Sequence, residues 1–129
     1  MTTNLTAPPP APVLVRGGSL YGDERADVLL VGGLIQEVGP DLTAPEGTEI
    51  IDAQGCVVLP GLVDLHTHLR EPGGEESETI ETGTRAAARG GFTAVHAMAN
   101  TTPVADTAGV VEQVARAGDS AGWCTVRPV

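Results

Sequence analysis

The residues best suited to chemistry are two histidines one position apart, in His66-Thr67-His68. They close an apolar run, Leu62-Val63-Asp64-Leu65, that has the length and composition of a buried strand. Residues two apart on a strand point the same way, so both imidazoles leave its C-terminal end on one face. Neutral imidazole suits zinc and similar ions, and one strand can in this way supply two ligands of a catalytic site. The pair alone fits two exposed polar rings equally well, because so short a pattern also arises by chance. Asp64 shares that face one layer deeper. It either partners an imidazole N–H or is a buried carboxylate satisfied by backbone groups, and the second is the more ordinary use.

Elements on both sides must position this strand. Phe92-Thr93-Ala94-Val95-His96-Ala97 reads as a second strand, and Trp123-Cys124-Thr125-Val126 begins a third. Between the first two, residues 77–89 place Ile80, Gly83, Thr84, Ala87 and Ala88 on one helical face. Glu75, Glu76, Glu78 and Glu81 crowd the start of this helix and Arg85 and Arg89 its end, which suits the helix dipole; Gly90-Gly91 stops it. With Glu71, the first three of these acids read as a solvated run. A second helix carries Val110, Val111, Val114 and Ala115, is capped by Asp106 or Thr107, and runs out near Gly118. Strand, helix, strand, helix, strand implies right-handed βαβ units and a parallel sheet. Such sheets need cover on both faces and more than three strands, and a barrel of eight units needs roughly 250 residues. The reading is therefore a barrel left incomplete, ending on its third strand.

Residues 13–59 have a different texture. Val13-Leu14-Val15, Asp27-Val28-Leu29-Leu30-Val31, Leu34-Ile35-Gln36-Glu37-Val38 and Glu49-Ile50-Ile51-Asp52 are strand-like, and Gly32-Gly33 marks a two-residue hairpin. They predict a small antiparallel β unit. Residues 1–12, ending in Ala7-Pro8-Pro9-Pro10-Ala11-Pro12, read as a disordered, Pro-rich tail.

The chain of 129 residues has room for a modest core, and its few aromatics leave packing to Val, Leu, Ile and Ala. Its formal net charge of −10 argues against nucleic acid or an anionic membrane as a partner. A small anionic substrate stays admissible, since one well-placed Arg holds it locally. Cys56 and Cys124 form no crowded cysteine framework, and neither a secretory leader nor a bilayer-length apolar run is present. The expectation is a cytoplasmic protein with reduced, mostly buried thiols.

The run Leu59-Pro60-Gly61-Leu62-Val63-Asp64-Leu65-His66-Thr67-His68 resembles the first barrel strand of the amidohydrolase superfamily. Leu69-Arg70-Glu71-Pro72-Gly73, Gly90-Gly91-Phe92-Thr93-Ala94-Val95 and Met98-Ala99-Asn100-Thr101 narrow the resemblance to the dihydroorotases, in the family's order. One departure is Ala99, where many members have proline. The resemblance implies an α/β fold: the start of a (β/α)8 TIM-type barrel over residues 60–129, preceded by a small β-sandwich subdomain over residues 13–59. It implies two zinc ions per intact subunit, with His66 and His68 on the more buried one, and a substrate carboxylate held by Arg70 and Asn100. The ordinary alternative for Arg70 is a surface ion pair with Glu71, which is worth little. His96 has the period to face the barrel interior beside Met98 and Asn100, but a lone His there is more often packed than ligating, so it stays outside the metal set.

The implied reaction is reversible hydrolysis of the cyclic amide of dihydroorotate to N-carbamoyl-aspartate, in pyrimidine synthesis. The remaining metal ligands and the catalytic base are expected beyond Val129, so this chain alone is expected to be inactive. Two other readings stay open. One is a related cyclic amidase such as dihydropyrimidinase, hydantoinase or allantoinase. The other is a non-catalytic scaffold for aspartate carbamoyltransferase, although the retained His pair favours an enzyme. Self-assembly or association with that transcarbamoylase is compatible with either.

Overall fold

The computed structural model describes residues 10–129, so most of the tail expected over residues 1–12 lies outside the described residues. The chain divides into two compact units, one running to Leu59 and the other Pro60–Val129.

In the first unit, strands β1 (Val13–Leu20), β2 (Arg25–Val31), β3 (Leu34–Gly39), β4 (Glu49–Asp52) and β5 (Val57–Val58) form one sheet in the order β3-β2-β1-β4. The short β5 also pairs with β1, further along it than β4. The small sandwich expected here thus takes the form of one hydrogen-bonded sheet. β2 and β3 make the predicted hairpin, with Gly32 and Gly33 at φ +59° and +80° in the left-handed region that a tight turn requires. The expectation of a wholly antiparallel unit is corrected: β4 and β5 run parallel to β1. Chain direction depends on how the 40–48 connection crosses, which local hydrophobic period does not encode.

β1 extends beyond the strand-like Val13-Leu14-Val15 and runs through Gly17-Gly18 to Leu20. Its register against β2 shifts between Val15 and Gly18, and Gly17 sits at φ +74°. The pair therefore marks a bulge inside a strand rather than its end. Leu14, Val28, Leu29 and Ala53 form the buried centre. Asp27 is buried with them because its two carboxylate oxygens accept the backbone N–H groups of Gly17 (2.8 Å) and Leu42 (3.0 Å).

The second unit is β6 (Leu62–Thr67), α1 (Ile80–Arg89), β7 (Phe92–Ala97), α2 (Ala108–Ala121) and β8 (Thr125–Pro128). The strands lie parallel in the order β6-β7-β8, as strand–helix alternation requires. Its core joins Leu69, Ile80, Val95, Ala97, Val114 and Val126, so one residue set ties the sheet to both helices. The expectation of a buried strand is corrected for β6: Leu62, Val63 and Leu65 are exposed on this edge strand of the three-stranded sheet.

α1 starts at Ile80, not near residue 77. Thr79 is its N-cap, and a reciprocal pair of hydrogen bonds with Thr82 closes a capping box. α2 continues past Gly118, the expected end, to Ala121, and Gly122 caps it in the left-handed conformation. The Thr107 N-cap makes no side-chain cap bond. Gly118 is not a stop signal but a contact: a Cβ there would lie 2.5 Å from Val126 Cβ. Gly118→Ala gains about 1 kcal/mol of helix propensity but overpacks against β8 at a cost of about 1–3 kcal/mol. The expected net is a lower urea midpoint for this unit. A rise would mean that α2 slides off β8 without penalty.

Among the described residues no helix is long and apolar enough to cross a membrane. Cys56 is exposed and only Cys124 is half-buried, which corrects the reading of mostly buried thiols. Burial raises the Cys124 thiol above its ordinary pKa, and its Sγ lies 3.8 Å from the Thr84 carbonyl oxygen.

Candidate active site

His66 lies at the end of β6, and two loops that leave the C-terminal ends of β6 and β7 carry His68, Arg70 and Asn100. Because β6 and β7 are neighbours in a parallel sheet, their ends emerge side by side, where ligand sites of α/β folds form. The Met98 N–H donates to the Thr67 carbonyl (2.9 Å), carrying the ladder to the point where the loops part.

The His66 and His68 rings stand edge to face with centroids 5.1 Å apart. They are neighbours, as the i, i+2 spacing predicted. Asp64 does not simply extend that face. The β6–β7 register shifts between Asp64 and Thr67, which interrupts the alternation on which the shared face was argued. One Asp64 carboxylate oxygen accepts the His66 backbone N–H at 2.9 Å, a backbone group as expected, but Asp64 is only half-buried, which corrects the reading of a buried carboxylate. This amide, followed by the Thr67 hydroxyl, holds the Asp64 carboxyl below its usual pKa.

The loop after β6 begins with Leu69, buried in the core, which anchors Arg70 directly behind it. Arg70 is exposed, with φ +61°. It forms no ion pair among the described residues, so the bridge to Glu71 considered above is absent. Glu71 instead accepts the Ile80 N–H at 2.7 Å, placing its carboxylate on the first turn of α1. Glu75 accepts the Gly73 N–H on both oxygens at 2.9 Å, and this amide draws its carboxyl below the ordinary range. The acidic run is thus partly structural: two of its members pin the loop that carries Arg70.

The second loop carries Asn100, whose Oδ1 lies 2.9 Å from His68 Nδ1. The loops also clasp each other through backbone. The Thr102 N–H donates to the Pro72 carbonyl at 2.9 Å, and Gly73, at φ +95°, is pressed so close to Thr102 that a Cβ would lie 2.2 Å from its carbonyl oxygen. Between the loops is an open cavity of about 450 Å³ lined by Arg70, Pro72, Ser77, Asn100 and Thr102 among others. Larger hollows, about 970 and 550 Å³, lie in the first unit beside Tyr21 and beside Asp27. Neither has a histidine, and both Asp27 oxygens are taken by amides. His96 is half-buried on β7 and, among the described residues, joins no cluster that could hold a metal.

Two adjacent neutral imidazoles fit a zinc ion chemically but fill only part of a tetrahedral sphere. Among the described residues no group of three or more His, Cys, Asp or Glu is placed to hold a metal. The loop pins were not foreseen. Nothing in the sequence links Glu71 to Ile80 or Asn100 to His68, because neither spacing belongs to a local motif.

The fold is that of the N-terminal part of an amidohydrolase-type TIM barrel. L-hydantoinase (dihydropyrimidinase) from Arthrobacter aurescens superposes with a TM-score of 0.72 and 27% identity, over 82% of this chain and 24% of its own. In sequence the chain is similar to the dihydroorotase of Streptomyces coelicolor, 62% identical over 116 residues, which is 90% of this chain and 27% of that protein. The dihydroorotase of Leifsonia xyli is 63% identical over 116 residues, again 90% of this chain and 26% of its own. The family model described as dihydro-orotase-like matches residues 55–126. The chain belongs to the dihydroorotase-like family. It spans about a quarter of the length of the curated relatives it matches.

Proposed function

We propose that this chain supplies the metal-binding and carboxylate-binding opening of a dihydroorotase. The reaction is zinc-dependent, reversible hydrolysis of the cyclic amide of (S)-dihydroorotate to N-carbamoyl-L-aspartate, a cytoplasmic step of pyrimidine synthesis. The observation that carries this reading is that Arg70 and Asn100, from separate loops, line one cavity, while Asn100 also touches His68.

In this reading the Arg70 guanidinium pairs bidentately with the ring carboxylate, and the Asn100 amide N–H adds a neutral donor. That grip fixes the ring against the mouth of β6, where His66 and His68 would hold one of two zinc ions through neutral imidazole nitrogens. When bound, zinc activates water at neutral pH and polarises the amide carbonyl. None of the residues here is assigned as the general base that would take the proton from the attacking water and pass it to the leaving nitrogen. With so incomplete a coordination set, the 129-residue chain alone is expected to show no hydrolysis.

A chimera tests the proposal: residues 13–129 replace the matching segment of the Streptomyces coelicolor relative. It should bind zinc and hydrolyse dihydroorotate, and His66→Ala or His68→Ala should abolish turnover and lower zinc content. Preference for hydantoin, which lacks the carboxylate, would favour the hydantoinase reading suggested by the structural likeness. A well-folded, metal-free, inactive chimera would favour the scaffold.

A further inference from the structure

Asn100 has two chemically distinct ends, and among the described residues only its Oδ1 has a defined partner. Its Oδ1 lies 2.9 Å from His68 Nδ1, across 32 residues of sequence. An amide oxygen only accepts, so this contact is a hydrogen bond when the imidazole proton is on Nδ1. The Nε2 lone pair is then free. Asn100 is held independently of His68: the Ala105 N–H donates to the Ala99 carbonyl at 3.0 Å, buried Ala105 anchors the loop, and Thr102 N–H binds Pro72. The amide is therefore presented to the ring by a braced backbone.

We propose that Asn100 is a positioning residue for His68: its side-chain oxygen holds the imidazole in the Nδ1–H tautomer and so presents Nε2 as the ligand nitrogen. The same amide keeps its NH2 directed away from the bond it accepts, free to donate to an anion in the cavity it shares with Arg70. One side chain then links the carboxylate-binding cavity to a metal-binding imidazole. This rests on the metal and carboxylate roles proposed above, and it adds to them a physical connection between the two subsites. Partners that orient a ligating imidazole are worth about 10- to 100-fold in metal affinity. His66 has no such side-chain partner among the described residues, its known contact to Asp64 being through its backbone N–H.

The test reads the tautomer first, in the metal-free 129-residue chain with ¹⁵N-labelled histidine, by two-bond proton–nitrogen correlation spectra. His68 is expected to show a protonated Nδ1 and an unprotonated Nε2. Asn100→Leu, which removes the acceptor, should shift the ring toward the Nε2–H form that free imidazole side chains prefer. Asn100→Asp, which restores an acceptor, should return it to Nδ1–H. Unchanged amide signals of Val95, Val114 and Val126 establish that the core is intact in each variant. A wild-type His68 protonated on Nε2 would mean that the Asn100 NH2 faces the ring, and would overturn the proposal, as would a tautomer insensitive to Asn100→Leu.

Zinc titration is the second readout. Affinity should fall about 10- to 100-fold in Asn100→Leu and hold or rise in Asn100→Asp. Should the wild-type chain show the expected tautomer yet bind no zinc in the chimera, the metal assignment fails while the Asn100 hold on His68 stands. The two ideas therefore fail separately.

Discussion

Arg70→Met, introduced into the chimera, is expected to lower kcat/KM for dihydroorotate by about 30- to 300-fold while leaving hydantoin turnover nearly unchanged. Removing one partner of a hydrogen-bonded charge pair costs roughly 2–5 kcal/mol, and each 1.36 kcal/mol is a factor of ten in rate. The lower part of that range applies because the Arg70 side chain is exposed before substrate arrives. The loss should be selective, since only the carboxylate-bearing ring uses the guanidinium. Arg70→Lys keeps the charge but not the planar fork, and should recover only part of the loss. Kinetics with both substrates decide the matter. An equal fall for hydantoin would show that Arg70 supports the loop rather than the substrate, and the carboxylate reading would be withdrawn.

Gly73→Ala is expected to open the clasp between the two loops without unfolding the unit. Gly73 is at φ +95°, where a side chain is strained by about 1–3 kcal/mol. The added Cβ would also lie 2.2 Å from the Thr102 carbonyl oxygen and 2.6 Å from Thr102 Cβ. These are backbone and backbone-attached atoms, so the clash is relieved only by moving one loop away from the other. Overpacking of that kind adds about 1–3 kcal/mol. The cheapest relief is local, because the loops open at less cost than the core. Amide exchange at Thr102, whose N–H binds the Pro72 carbonyl, should therefore accelerate by about 100-fold, while exchange at Val95 stays unchanged. In the chimera the KM for dihydroorotate should rise as Arg70 and Asn100 lose their common cavity. Slow exchange at Thr102 in the variant would show that the clasp is not what holds the loops together.

Much of the scaffold was legible because it follows from local period. Phe92–Ala97 and Glu49–Asp52 have the bounds their apolar patterns suggest, and the buried side of α1 is the predicted one, Ile80, Gly83 and Thr84. The misreadings share a cause. Gly118 reads as a break because glycine usually is one, whereas the close approach of β8 explains it, and Gly17-Gly18 mark a bulge within β1. The acids crowding the start of α1 suggest a helix from near residue 77, but helix entry is set by the Thr79–Thr82 box, in which threonine stands where Glu or Gln is customary. β5, at two residues, is too short to carry a period.

For the candidate site the division is sharper. Residue types and their order along the chain already specify two imidazoles, a guanidinium and an amide at the ends of successive strands, because strand alternation and βα succession are local properties. Which of these groups touch is decided only by the fold. His68 meets Asn100, Glu71 meets the first turn of α1, and Gly73 meets Thr102 because two loops leave adjacent parallel strands at the same end. Such contacts depend on where distant backbone segments come to rest, and no spacing within a single segment encodes them.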